Sequence, residues 1–98
     1  MIRRIIWSPV AVQTYQQILD YLESNWTLRE LLKFIHRTEE ILEYISINPQ
    51  LYQQSRKSGA YRCVVTEQVS LFYRIPNTNT IELLLFWDNR MDPDKLKF

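Results

Sequence analysis

The sequence predicts an α+β domain in the order β-α-α-β-β-β, with an antiparallel helix hairpin packed on one face of a small, mainly antiparallel sheet. Three observations carry this. Three apolar-alternating runs, residues 61–65, 69–75 and 81–87, follow one another with almost nothing between them. Two stretches with helical periodicity precede them, and the breaks between all these segments are short. Residues of β-branched and aromatic type suit a pleated, half-buried surface, and breaks as short as Thr66-Glu67-Gln68 and residues 76–80 force neighbouring strands to run antiparallel.

Ahead of this meander, residues 3–7 read as a short strand ending at Trp7. Ser8 is placed to cap a helix, and Pro9 sits where its missing N–H costs nothing. Ala11, Tyr15, Ile18, Leu22 and Trp26 recur at steps of three to four, one stripe of a helix that ends near Asn25. Thr27 and Glu30 make a capping-box pattern for a second helix. Its stripe is Leu31, Ile35, Thr38, Leu42 and Ile45, flanked by Phe34 and Ile41. Asn48-Pro49 closes it, because a residue before proline is pushed out of the helical region. A two-residue link makes the helices antiparallel, and the meander's apolar face is the surface available for both to cover. Residues 50–60 read as a polar, basic loop holding the only glycine, Gly59. The chain reads as one domain over residues 1–98, with no repeats or linker.

Strict alternation assigns the two faces of the meander. Tyr61, Cys63, Val65, Val69, Leu71, Tyr73, Ile75, Ile81, Leu83, Leu85 and Trp87 form the core face. The opposite face carries Arg62, Val64, Thr66, Ser70, Phe72, Arg74, Glu82, Leu84, Phe86 and Asp88. That second face is too apolar for a plain wet surface, and exposed Phe72, Leu84 and Phe86 predict that a partner covers it.

Composition narrows the chemistry. A hydrophobic fraction of 46% and an aromatic fraction of 13% suit a folded globule. No apolar run approaches the roughly 20 residues of a membrane helix, and no signal peptide is read, so neither a membrane nor export is expected. With one Cys (Cys63) and one His (His36), a metal site is not expected, nor is a nucleophilic triad, and one glycine cannot build a phosphate loop. Cys63 reads as a buried thiol in a reducing compartment and His36 as a helix-surface residue. The carboxylate pairs Glu39-Glu40 and Asp92 with Asp94 read as a solvated helix face and a terminal tail. No cofactor is implied.

The net charge is only +1, but residues 1–52 carry −1 and residues 53–98 carry +2. Between 53 and 75, Arg56, Lys57, Arg62 and Arg74 face Glu67 alone. This field suits a phosphate backbone or an acidic protein, or is a solvated basic loop. Arginine forks grip oxyanions at two points, so Arg62, Arg74 and Arg90 are candidate ligands for a phosphate, with Phe72 and Phe86 as stacking platforms. Alternatively, Arg74 pairs with Glu82 across neighbouring strands, and Arg90 with Asp88 or Asp92.

In this order, Trp7-Ser8-Pro9, Asn25-Trp26, Asn48-Pro49, Gly59-Ala60-Tyr61-Arg62, Phe72-Tyr73-Arg74-Ile75 and Phe86-Trp87-Asp88-Asn89-Arg90-Met91-Asp92-Pro93 resemble the RelE/ParE toxins of type II toxin–antitoxin modules over nearly the whole chain. The resemblance implies a small cytoplasmic toxin held inactive by a cognate antitoxin, touching operator DNA only through that antitoxin. It implies growth inhibition through DNA gyrase, as in ParE-like members, or through translation. RelE-like members cut ribosome-bound mRNA without metal, by attack of the ribose 2′-OH. By position, Arg62 and Arg90 match arginines of such a nuclease, and Arg56 or Lys57 its loop cations. The match is incomplete: the chain ends in Phe98 where RelE-like members have a tyrosine, residues 53–55 are Gln53-Gln54-Ser55, and no histidine follows the last strand. Lys57, Tyr61 and Glu67 are the remaining acid–base candidates. The expectation therefore leans to a binding toxin, with the mRNA endoribonuclease as the alternative and a non-toxic antitoxin-binding relative as a further one.

Overall fold

The chain runs β1 (Arg4–Trp7), α1 (Pro9–Asn25), α2 (Leu28–Ile47), β2 (Gln53–Gln54), β3 (Tyr61–Thr66), β4 (Val69–Asn77), β5 (Thr80–Asp88) and a 3-10 turn (Pro93–Lys95). The computed structural model describes residues 2–91 and 93–96. Its strands make one five-stranded sheet in the order β1-β5-β4-β3-β2. Every pairing is antiparallel except that of β1 with β5, which is parallel, Arg4 lying opposite Thr80 and Trp7 opposite Leu83.

The helix starts are those the sequence signals. Ser8 Oγ accepts the Ala11 N–H at 3.0 Å and donates to the Leu84 carbonyl at 2.9 Å, so one hydroxyl caps α1 and pins it to β5. Thr27 Oγ1 accepts the Glu30 N–H at 3.2 Å. At the far end of α2, Arg3 supplies a cation to the terminal carbonyls. Its Nη1 donates to Ile47 O at 2.9 Å, its Nε to Thr78 O at 3.1 Å and its main-chain N–H to Ser46 O at 2.9 Å. Orphan carbonyls are thereby satisfied where the helix dipole favours positive charge.

Both helices lie on one face of the sheet, α1 over β5 and α2 over β3. Ala11, Ile41, Ile45, Leu71, Tyr73, Ile81 and Leu83 are fully enclosed between the layers. On α2 the innermost residues include Phe34 and Ile41, which the periodicity places as flanks, while Leu31, Ile35 and Leu42 are half-buried. The Tyr73 hydroxyl, deep in this layer, donates to Pro49 O at 2.7 Å and ties the end of α2 to the sheet.

Two features differ from the sequence reading. Residues 50–60 are not all loop: Gln53 and Gln54 pair with Arg62 and Tyr61 as an edge strand. Neither glutamine favours a strand, so the pairing is imposed by β3 and by the turn, which closes with Ser55 N–H to Ala60 O at 2.8 Å and Gly59 at φ 77°. The second is a β-bulge. Phe72 lies opposite Leu85 but Tyr73 opposite Leu83, so Leu84 is an extra residue in β5. Beyond a bulge every side chain changes face. Phe86, not Leu85 or Trp87, therefore enters the helix-side core. It is 2% exposed, 5.6 Å from the Trp7 ring and 5.0 Å from Tyr15. Leu85 and Trp87 go to the open face opposite Phe72 and Ser70.

Candidate functional site

The face of the sheet away from the helices carries Arg62, Val64, Ser70, Phe72, Arg74, Glu82, Leu85 and Trp87, placed there by the cross-strand pairs Arg62–Phe72, Val64–Ser70, Phe72–Leu85, Ser70–Trp87 and Arg74–Glu82. Toward its Arg74 end lies an open depression of about 830 Å³, lined by Arg74, Glu82, Leu84 and Leu85, by Val10 at the start of α1 and by residues 58–61.

The arginines predicted from the sequence are placed in three different settings. Arg74 forms an ion pair with Glu82, its direct cross-strand neighbour. Arg90 grips Asp88 with both prongs of its fork, Nε to Oδ1 at 3.0 Å and Nη2 to Oδ2 at 2.8 Å, and its guanidinium lies 5.7 Å from the centre of the Tyr21 ring on α1. Hydrogen bonds from Arg90 hold the Asp88 carboxyl below the usual carboxylate range, and Asp88 in turn pushes Arg90 further up. Arg62 instead meets neutral oxygens: its Nε donates to Ser70 Oγ at 3.1 Å and its Nη2 to Asn89 Oδ1 at 3.3 Å. Ser70 Oγ donates to the same Asn89 oxygen at 2.8 Å.

Arg56 and Lys57 are exposed in the β2–β3 loop. Phe72 is on the open face as expected, but only 9% exposed. Phe86 is not on that face at all, because the bulge at Leu84 turns it into the core; the expected stacking platform of two phenylalanines does not form. The expectation that Phe72, Leu84 and Phe86 are exposed fails likewise, Leu84 being half-buried. Asp92 and Phe98 lie outside the described residues.

The acid–base candidates are scattered. Tyr61 is buried and stacked on Tyr73, ring centres 5.3 Å apart. Glu67 is exposed in the β3–β4 turn and Lys57 in the β2–β3 loop. On the helix side, burial pushes Tyr52 up to about 12 and raises Tyr15, Tyr73 and the Cys63 thiol, none of which reaches the open face. Cys63 is fully buried, and His36 is exposed with Nε2 3.7 Å from Glu40. Among the described residues no group of three or more His, Cys, Asp or Glu side chains could hold a metal. No helix among the described residues is long and apolar enough to cross a membrane.

Sequence reasoning did not pick out Asn89, Ser70 or Tyr21 as partners of the arginines. A serine in the middle of an apolar strand was the available signal for Ser70. Nothing in the sequence brings Asn89 to a residue 27 positions earlier.

Comparison with known proteins places this architecture. Residues 5–93 match the family model described as the ParE toxin of type II toxin–antitoxin system, parDE. A curated relative, Toxin ParE1 of Mycobacterium tuberculosis, is 23% identical over 96 residues, spanning 97% of this chain and 98% of its own length. The fold is that of the chromosomal ParDE system from P. aeruginosa, at a TM-score of 0.71 and 16% identity over 89% of this chain and 96% of that one. It is also that of the YoeB dimer from Staphylococcus aureus, at 0.59 and 21% over 87% and 94%. With two helices on a mixed five-stranded sheet and a family match over nearly its full length, the chain belongs to the ParE toxin family of type II toxin–antitoxin systems.

Proposed function

We propose that the protein is the toxin of a type II toxin–antitoxin module, neutralised in the cytoplasm by a cognate antitoxin, and that it arrests growth by binding DNA gyrase rather than by cutting RNA. The observation that carries the binding reading is the state of the arginines. Metal-free RNA cleavage needs converging cations for the phosphate together with an acid and a base. Here Arg74 is matched by Glu82 and Arg90 by Asp88, so two of the three forks already hold carboxylates. Tyr61, Glu67 and Lys57, the groups able to move a proton, sit in separate places: a stacked core position, a turn and a loop. A binding surface needs none of this to converge.

The antitoxin partner is supported by family membership and by the company the fold keeps: a solved YoeB–YefM complex from Staphylococcus aureus shares it, at a TM-score of 0.56 and 20% identity.

The test is induced expression without antitoxin, with growth, primer extension on total RNA and plasmid supercoiling followed together. Arrest with intact mRNA and relaxed plasmid is expected, with purified toxin blocking gyrase supercoiling in a defined assay. Codon-linked mRNA cuts, abolished by Arg62→Ala, would overturn the reading in favour of a ribosome-dependent nuclease. Normal growth would leave only a non-toxic relative that pairs with an antitoxin.

A further inference from the structure

Ser70 is fully buried although it lies on the open face of the sheet, and its hydroxyl is used twice. It accepts from Arg62 Nε at 3.1 Å and donates to Asn89 Oδ1 at 2.8 Å. Asn89 is itself anchored to the β3–β4 turn, its main-chain N–H donating to Gln68 O at 2.8 Å and its Nδ2 to Glu67 O at 3.4 Å. Its Oδ1 then takes a second donor, Arg62 Nη2 at 3.3 Å. A long, rotamer-rich side chain starting near the beginning of β3 is thus drawn along the sheet to the β3–β4 turn and held at two of its N–H groups.

A guanidinium has five N–H donors in a planar fork. Ser70 and Asn89 occupy two, which leaves three, two of them side by side along the Nη1–Nη2 edge. Both acceptors are neutral, so they orient the cation without cancelling its charge. This separates Arg62 from Arg74 and Arg90, whose partners are carboxylates. Holding the fork in advance removes part of the ordering cost that binding an anion would otherwise carry.

The surroundings favour a protein anion over a phosphate backbone. Val64, on the same face and paired with Ser70, is 51% exposed, an apolar neighbour suited to a protein interface. Nucleic-acid backbones are held by several cations in a row. Arg56 and Lys57 lie in the loop entering β3, whereas the Arg62 guanidinium is drawn toward the opposite end of that strand.

We infer that Ser70 and Asn89 are positioning residues that hold Arg62 as a pre-set fork for a carboxylate on the surface of the toxin's protein target. This rests on the binding reading above. The decisive variant is Asn89→Asp, which keeps the Oδ1 acceptor and the main-chain bond to Gln68 O, gives up the long 3.4 Å bond from Nδ2 to Glu67 O, and sets a negative charge against the guanidinium. If Arg62 serves only to brace the sheet, a charged acceptor strengthens the brace and activity stays. If Arg62 is a fork for an external carboxylate, its charge is cancelled and activity falls.

The experiment measures inhibition of gyrase supercoiling by purified toxin, with the urea midpoint of each variant as a check on folding. Asn89→Asp and Arg62→Ala should each raise the toxin concentration needed by roughly tenfold to a hundredfold, the range for a lost charge-assisted bond. Arg62→Lys, which keeps the charge and loses the fork, should also weaken inhibition. Ser70→Ala should weaken it less, and the double variant Arg62→Ala/Ser70→Ala should be no weaker than Arg62→Ala alone. Wild-type inhibition by a folded Asn89→Asp variant would overturn the inference. If wild-type toxin arrests growth without inhibiting gyrase, the gyrase target fails separately. The same variants are then scored by growth arrest with mRNA followed by primer extension: relief by both Asn89→Asp and Arg62→Ala with intact mRNA sustains the fork, whereas full arrest by either, or Arg62-dependent mRNA cuts, removes it. Wild-type toxin that does neither sinks both.

Discussion

The two faces of this sheet handle burial in opposite ways. On the helix side, Leu71, Ile81, Leu83 and Phe86 make an enclosed apolar layer, and the Tyr73 and Thr38 hydroxyls buried there each have a main-chain acceptor. The three tyrosines and the thiol packed in that layer, Tyr15, Tyr52, Tyr73 and Cys63, are driven toward their neutral forms by desolvation. On the open side, charge is kept, and each arginine is steered by its neighbours instead: by a carboxylate at Arg74 and by neutral oxygens at Arg62, while Arg90, past the end of β5 and over Tyr21 of α1, is held by Asp88. The difference teaches where to expect stability and where to expect function. Apolar contacts exclude water and hold the fold; on the open side the identity of each acceptor decides whether a cation remains available.

The sharpest way to break this comparison is at the bulge. Phe86→Ala should destabilise by about 3–5 kcal/mol, as for a large core truncation, and Leu84→Ala by clearly less. Urea unfolding of the two variants checks it; equal losses would mean that alternation runs through β5 uninterrupted.

A smaller effect tests the desolvation of the helix side. Tyr52 is raised from about 10 in the unfolded chain to about 12 in the fold. The folded state therefore holds that proton more tightly. Its contribution is fully present below about pH 10 and declines as pH rises toward 12, because the unfolded chain ionises first. Tyr52→Phe should flatten the loss of urea midpoint across that alkaline window, with Tyr73 adding a residual slope in the same direction. An unchanged slope would mean that Tyr52 is wetter than its packing implies.

The smallest effect belongs to the open side. Glu82→Gln should cost about 0–1 kcal/mol, as exposed ion pairs usually do, and the difference should shrink in high salt. A loss near that of Phe86→Ala would show that the open face is a second core.

Much of the architecture was legible because it depends on local chemistry. Ser8-Pro9, Thr27 with Glu30 and Asn48-Pro49 mark helix ends through hydrogen bonds within a few residues, and the meander's breaks are too short for anything but antiparallel neighbours. The Arg74–Glu82 and Arg90–Asp88 pairs were readable as alternatives for the same reason: one follows from cross-strand register, the other spans two residues.

What the sequence alone determined is thus the order of β1, the two helices and the meander strands, the helix caps, the antiparallel pairing of the meander and the apolar character of one face. Tertiary structure decided the rest. An extra residue at Leu84 reverses the facing of Leu85, Phe86 and Trp87, a shift that side-chain alternation cannot register because its period restarts silently after a bulge. The strand at Gln53–Gln54 exists only because the β3 edge offers partners. Asn89 reaches Arg62 only because β4 pairs with both β3 and β5, so the setting of that cation is a property of strand packing and not of any local motif.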